Sequence, residues 1–348
     1  MSDGVAAIAA IGGHIARVTI SPRMNIDYHT GSHCIPGFTL AGAMLDADVK
    51  KAMDNPAINV FILTAYDGVT FGDCSTHTYL NPRYYTPTGQ AEVAHEYSDL
   101  TLYLYRTYQK TSKRFIISNW ESDNDVYCGQ AYGYATDPQF RANCDTSYPL
   151  IYSGNSSPAE SLQGLKLWFQ AREQGIEDGR ARAAALGIGG MRVYFAPEIS
   201  VVRCLHDAGF QSVLYDVVPS VKFDYLSYSS HQSTNLPSPM SSLMQDLATI
   251  QSVVGSGEII IGEIMTDSTE GDSDLFLLNL AQVIDAALHW GAPFVIYWNV
   301  HSASDNPGGL YDGSGQLTEV GRFFELYLVG RGCLAPNPHP RTLNQRGQ

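Results

Sequence analysis

The chain is short of basic residues. Lys and Arg number 21 against 35 Asp and Glu, a formal charge of −14. Phosphate backbones and anionic membrane surfaces are recognised through basic patches, so neither is expected as a partner, and a neutral ligand suits this balance. No apolar run is long enough to cross a bilayer. Val5 to Ile11 is a short apolar stretch with no basic region ahead of it, so no signal peptide is read here. A secreted origin stays open if residues precede this chain. None of the six cysteines, Cys34, Cys74, Cys128, Cys144, Cys204 and Cys333, forms a C-x-x-C pair, which argues against a zinc ribbon or a redox motif. The ten histidines form neither H-E-x-x-H nor H-x-H, against a zinc hydrolase. There is no G-x-S-x-G esterase elbow, no G-x-G-x-x-G after an early strand and no P-loop; Gly187 to Gly190 reads G-I-G-G before a strand, the wrong order. Asp67, Asp73, Asp123 and Asp125 lie in loop-like stretches as candidate Ca²⁺ ligands, but without the D-x-D-x-N-G spacing of a calcium loop.

What is present fits an ordinary globular protein: 348 residues, 44% hydrophobic and 16% charged. A parallel α/β barrel takes about 250 residues, more with insertions, so one domain suffices. Aromatic residues make up 11%, with 21 Tyr and 4 Trp, suited to stacking on flat apolar faces. Cys128 and Cys144 are candidates for a disulfide, with buried free thiols as the alternative. Asn155 opens the single N-x-S sequon noted, weak evidence of secretion.

Hydrophobic periodicity predicts strands at Ile15 to Ile20, Val60 to Ala65, Phe115 to Glu121, Arg192 to Phe195, Phe223 to Tyr228, Glu258 to Thr266 and Pro293 to Val300. Val213 to Tyr215 reads as a short extra strand. Helical spacing covers Asp3 to Gly12, Leu40 to Asn55, Tyr97 to Lys110, Ser161 to Gly175, Glu177 to Leu186, Ser200 to Ala208, Ser238 to Val254, Leu275 to Trp290 and Thr318 to Val329. Alternation of this kind through the whole chain implies a parallel sheet. Residues 1–330 read as a single barrel domain with long loops at 68–89 and 121–157, and 331–348 as a loose tail. Two strands end in glutamates: F-I-I-S-N-W-E at Glu121 and E-I-I-I-G-E at Glu263. Carboxylates at the carboxyl ends of barrel strands occupy the face where active sites are built.

Asn119-Trp120-Glu121, Gly262-Glu263 and Trp298, in that order, resemble the retaining glycoside hydrolases of the large (β/α)8 clan. That clan carries its acid/base glutamate after strand four, its nucleophile glutamate after strand seven, and a sugar-lining tryptophan on strand eight. Counted back from Trp298 on strand eight, Glu263 falls on seven, Tyr228 on six, Glu198 on five, Glu121 on four, Tyr66 on three and Arg17 on two. The resemblance implies a (β/α)8 barrel that lacks or substitutes its first strand and that takes carbohydrate without any cofactor or metal. Glu263 is then the nucleophile, Glu121 the acid/base, and Arg17 the electrostatic partner of Glu263. Asn119, Glu198, Tyr228, His231 and Trp298 are then expected around the sugar. Trp120 separates Asn119 from Glu121, a departure from the clan's adjacent Asn-Glu, although residues two apart on a strand share a side. Two other classes stay open: a carbohydrate-binding barrel without turnover, and a metal-assisted barrel lyase or isomerase using Glu198 and Glu263.

Overall fold

The computed structural model describes residues 1–71, 74, 77–152, 154–235, 238–255, 257–264, 273–301 and 308–334. Asp73, the end of the expected seventh strand past Ile264, and the tail from residue 335 lie outside them.

The strands are β1 (Ile15–Ile20), β2 (Val60–Ala65), β3 (Arg114–Ser118), β4 (Arg192–Phe195), β5 (Glu198–Ile199), β6 (Tyr225–Ser229), β7 (Glu258–Ile264) and β8 (Val295–Tyr297). All pair in parallel, in the orders β1-β2-β3-β4 and β5-β6-β7-β8. β4 and β5 are two lengths of one stave, parted only by Ala196-Pro197. Ala196 N–H donates to Ile117 on one side, and the Pro197 carbonyl accepts from Ser227 on the other. Proline has no N–H to give, which is why the ladder breaks there. The eight strands thus make seven staves of a (β/α)8-type barrel among the described residues.

Alternation sorts the side chains. Ala16, Val18 and Ile20 of β1 face outward into the main core beneath the helices. Val60, Ile62, Ile116, Ala196, Tyr225, Ile260, Phe294 and Ile296 form a second, separate cluster that fills the foot of the barrel. The barrel is therefore plugged with hydrocarbon below and opens into polar chemistry above.

The helices that matter below are α1 (Ser2–Ala10), α2 (Ala47–Met53), α3 (Pro87–Tyr108), α4 (Ser122–Val126), α5 (Ala131–Thr136), α6 (Pro138–Ile151), α7 (Pro158–Ala185), α8 (Pro239–Val254), α9 (Ser273–Trp290) and α10 (Glu319–Leu334). Several sequence expectations change. Residues 122–151 are largely helical rather than a long loop. Their helices are short and polar, so no apolar period betrays them, but Asp137 caps α6 through Gln139 and Phe140. α7 is one 28-residue helix, not two. Leu40 to Asn55 is two helices, because Asp46 caps α2 and ends the first turn. Val213–Val217 is a π-helical turn, not a strand. α10 runs to Leu334, past the expected start of the tail.

Two disulfides close the upper loops, Cys34–Cys74 and Cys128–Cys144, the second being the first of the two readings left open for that pair. Asn155 is 2% exposed, and its amide nitrogen donates to the Leu80 carbonyl and to Ser161, so this sequon has no free acceptor atom in the folded protein.

α7 lies directly on α3, and Gly175 permits the approach: a Cβ there would sit 2.2 Å from the Ala94 carbonyl oxygen. Overpacking of a tight contact costs about 1–3 kcal/mol. Gly175→Ala is expected to lower stability by that amount in urea unfolding, while Gly189→Ala, where a Cβ meets nothing within 4 Å, leaves the midpoint unchanged.

Candidate active site

The site rises from the barrel axis in two layers. In the lower one, β1 turns Arg17 inward and β5 turns Glu198 to meet it. The guanidinium grips Glu198 with two nitrogens, Nη1 to Oε2 at 2.7 Å and Nη2 to Oε1 at 2.9 Å. Nε donates to Thr64 on β2, and Nη2 also donates to the Asn119 carbonyl after β3. Glu198 is fully buried and accepts further bonds from Ser227 Oγ at 2.7 Å and the Glu121 backbone N–H at 3.1 Å. Gly262 makes room for this cluster, since a Cβ there would stand 2.1 Å from Ser227 Oγ and 2.2 Å from Glu198 Oε2.

The upper layer holds the two strand-end glutamates. The β6–β7 register shifts after Tyr228, so that Ser229 lies opposite Glu263. Such irregularities re-aim a side chain, and here Glu263 follows Gly262 toward the axis. Its Oε1 lies 3.0 Å from Arg17 Nη1, and its Oε2 lies 3.4 Å from both His231 Nε2 and Ser229 Oγ. Ser229 Oγ also donates to Glu121 Oε1 at 2.6 Å, while Asn124 on α4 donates to Glu121 Oε2 at 2.6 Å. An oxygen of Glu121, an oxygen of Glu263 and a nitrogen of His231 all lie within 4.8 Å of one another.

The electrostatics separate these groups. Burial and then the Glu263 charge push the Glu121 carboxyl above its ordinary range; the bonds from Ser229 and Asn124 oppose that rise. Burial depresses Arg17, but Glu198 and Glu263 more than offset it and leave the guanidinium more firmly protonated than usual. His231 is likewise penalised by burial and raised on balance by Glu263. Asp125, next to this site on α4, is pushed up to about 8, by burial first and Glu121 last, against a bond from Tyr79.

A cavity of about 740 Å³ opens over the site, lined near the glutamates by Arg17, Tyr66, Trp120, Asp125, Glu263 and Trp298. Trp298 is 37% exposed and meets the His231 ring edge-on, with centroids 5.5 Å apart. Arg17, Glu121, Glu263, His231 and Trp298 thus converge as expected from the sequence. Three residues do not take the expected place. Tyr228 points away from the axis, where its hydroxyl donates to Asp246 on α8 at 2.8 Å. Ser227 and Ser229 on the other face of the strand take the inward positions. Asn119 is 1% exposed and committed internally: its oxygen accepts from Glu198 N–H and its nitrogen donates to Ser122, so it braces the β3 and β5 ends instead of facing a ligand. Glu198 lies beneath the cavity floor, saturated by its partners.

The aspartates are buried anchors. Asp67 accepts from Thr70 and the Trp168 ring nitrogen, and Asp123 from the amides of Ser200, Val201 and Val213. Sequence reasoning misses Ser229 and Asn124 and places Asp125 in a loop. Strict alternation along β6 opposite Tyr228 finds Ser229; the other two come from a helix with no readable period.

No protein-family model matches this chain, and no curated protein sequence matches it. Solved structures do. A β-glucosidase from Thermotoga maritima aligns with TM-score 0.56 at 12% identity, covering 94% of this chain and 84% of that one. A broad specificity endoglucanase from Bacteroides salanitronis aligns with TM-score 0.53 at 13% identity, over 97% of this chain and 86% of that one. The virulence factor SghA from Agrobacterium tumefaciens aligns with TM-score 0.55 at 11% identity, over 94% and 85%. At such identity the likeness establishes the barrel fold.

Removing one partner of a buried ion pair costs about 3–5 kcal/mol. Glu198→Ala is expected to lose that much in denaturant unfolding, whereas Trp298→Ala, at the exposed rim, is expected to lose under about 1 kcal/mol.

Proposed function

We propose that this protein hydrolyses β-linked glycosides with retention of configuration. The observation that carries the reading is the pair Glu121 and Glu263. They lie with an oxygen of each within 4.8 Å, share one serine hydroxyl, and differ in that only Glu263 touches a guanidinium. Retaining hydrolysis needs two carboxyls about 5–5.5 Å apart, whereas inversion needs about 6.5–9.5 Å to admit a water between them. The short separation favours retention. Structural neighbours include a β-glucosidase and an endoglucanase, which agrees with a glycosidic substrate.

In the first step Glu121, its carboxyl pushed upward by burial and by the Glu263 charge, gives its proton to the glycosidic oxygen as the C1–O bond breaks. Glu263 attacks C1 and forms a glycosyl ester. In the second step Glu121, now a carboxylate, takes a proton from water, which attacks C1 and frees Glu263. Arg17 complements the charge of Glu263 before attack and again after release. Ser229 steadies both carboxyls, and Trp298 with Trp120 offers flat faces on which sugar C–H groups pack. The metal-assisted reading through Glu198 and Glu263 loses support because Glu198 is fully engaged by Arg17, Ser227 and the Glu121 amide. Two disulfides suit an oxidising compartment.

Aryl β-glycosides, β-glucans, mannans and xylans test the reaction. Glu263→Ala and Glu121→Ala are each expected to lose at least about a thousandfold in turnover, and azide is expected to rescue Glu263→Ala with formation of the inverted glycosyl azide. A wild-type protein that binds sugar but turns over none of the panel would leave the binding-barrel reading standing instead. A chelator is expected to leave the rate unchanged.

The pH profile tests the assignment of the acid. Activity should fall as pH rises through the Glu121 pKa, because the acid must hold its proton. The Ser229 bond stabilises the charged form and so lowers that pKa. Ser229→Ala is therefore expected to shift the alkaline limb of kcat/KM upward; a limb that stays or moves down removes Glu121 from the acid role.

A further inference from the structure

The proposed hydrolysis gives His231 no step, yet the fold aims it at both glutamates. Its Nε2 is buried and has no partner in hydrogen-bonding geometry among the described residues, and it stands 3.4 Å from Glu263 Oε2. With one oxygen of Glu121, these atoms all lie within 4.8 Å of one another. They come from three segments: the helical turn His231–Thr234 after β6, the end of β7, and the residue before α4. The turn is tied to β7 by backbone. Ser230 N–H at 2.9 Å and Ser230 Oγ at 3.1 Å both donate to the Glu263 carbonyl, and Thr234 Oγ1 donates back to the Ser230 carbonyl at 3.0 Å. His231 and Glu263 are therefore fixed relative to each other before any ligand arrives.

Each of the three side chains is also held from behind. Asn124 donates to Glu121 Oε2, Arg17 engages Glu263 Oε1, and Trp298 meets the His231 ring edge-on. Outer partners of this kind orient the ligands of a metal ion and leave one donor atom of each turned inward. Here they leave Glu263 Oε2 and His231 Nε2 facing each other, with Ser229 Oγ 3.4 Å from Glu263 Oε2 and bonded to Glu121 Oε1. The cluster as a whole sets three carboxyl groups, Glu121, Glu198 and Glu263, against the one guanidinium of Arg17, so added positive charge is attracted to it.

We propose that Glu121, Glu263 and His231 form a binding site for one divalent transition-metal ion of the zinc class. One imidazole and two carboxylates are ligands that suit such an ion. Calcium takes six to eight oxygens and magnesium keeps an octahedral shell of oxygens and water, so neither matches this set. Zinc bonds of about 2.0–2.2 Å place tetrahedral ligands roughly 3.4 Å apart. His231 Nε2 and Glu263 Oε2 already stand at 3.4 Å, and the widest gap in the trio closes by about 1.4 Å at most, within reach of the soft terminal torsion of Glu121. The fourth position opens to the cavity that Glu263 and Trp298 line, which gives the ion its way in. A bound ion takes an oxygen from each of the two carboxyls, so it and glycoside hydrolysis exclude each other. That consequence alone rests on the proposed reaction; the binding does not.

The test adds zinc chloride to chelator-treated, dialysed protein and reads zinc retained in equilibrium dialysis together with Tm. Wild type is expected to retain one zinc ion per chain, and zinc at about a hundred times its Kd is expected to raise Tm by at least about 2 °C, while magnesium chloride does neither. His231→Ala and the isosteric Glu121→Gln are each expected to weaken retention at least about tenfold, whereas His95→Ala, at an exposed histidine beside Asp99, leaves it unchanged. The Tm of each variant without zinc shows whether it folds. The proposal is overturned if wild type retains no zinc and its Tm does not move, or if both site variants retain zinc as tightly as wild type, which would assign the ion to surface histidines. On a glycoside that the protein turns over, zinc at about a hundred times its Kd, with substrate below KM, is expected to slow the rate about a hundredfold, and a chelator to restore it. Full turnover with zinc retained would remove the ion from the two carboxyls and overturn the site. A protein that turns over no glycoside sinks the hydrolytic reading, while the dialysis result still decides for or against the ion.

Discussion

One guanidinium holds the upper barrel together. Arg17 reaches Thr64 on β2, the backbone after β3, Glu198 on β5, and both the Gly262 carbonyl and Glu263 on β7, so five staves meet at a single side chain. Charge in a low-dielectric interior is costly unless it is paired and hydrogen-bonded, and here every donor nitrogen is used. The arithmetic of charge then spreads upward. One cation stands between two carboxylates, Glu198 and Glu263. A third carboxyl, Glu121, arrives on the other side of Glu263 with no guanidinium of its own, and burial together with its neighbour drives it toward the protonated form. The electrostatic difference between the two upper glutamates is thus set one layer below them.

Glu198 thereby supports the layer above it. It orients Arg17 in a bidentate fork and also holds the amide of Glu121, so the positions of Glu121 and Glu263 derive from one buried carboxylate. Arg172 repeats the motif outside the barrel: fully buried, it donates to the Ser118 carbonyl and stacks 4.2 Å above the Trp168 ring, fixing the same β3 end from behind.

Much of the frame was legible in the chain. The apolar runs of β2, β3 and β7 are buried on both faces, so they read as continuous hydrocarbon, and the two glutamates at strand ends follow from them. The count of staves among the described residues was legible for the same reason. Side-chain direction on β6 was not, because S-Y-S-S offers both an aromatic and a hydroxyl and the aromatic looks like the ligand partner; the inward parity belongs to Ser227 and Ser229. Asn119 and Glu198 have side chains suited to a sugar site, and their burial depends on long-range partners that local pattern does not encode. The helices from residue 122 to 151 carry little apolar period, since they lie over a polar rim.

The buried Asn155 has a consequence for biogenesis. Oligosaccharide transfer acts on chain that has not yet folded, and the Asn155 nitrogen ends up donating to Leu80 and Ser161 in a 2% exposed position. Glycan attachment and closure of this turn are therefore mutually exclusive fates of one nitrogen. In a host that modifies sequons, the yield of native protein becomes a race between a folding step and an enzyme, and Asn155→Ser would trade two buried hydrogen bonds for release from that race.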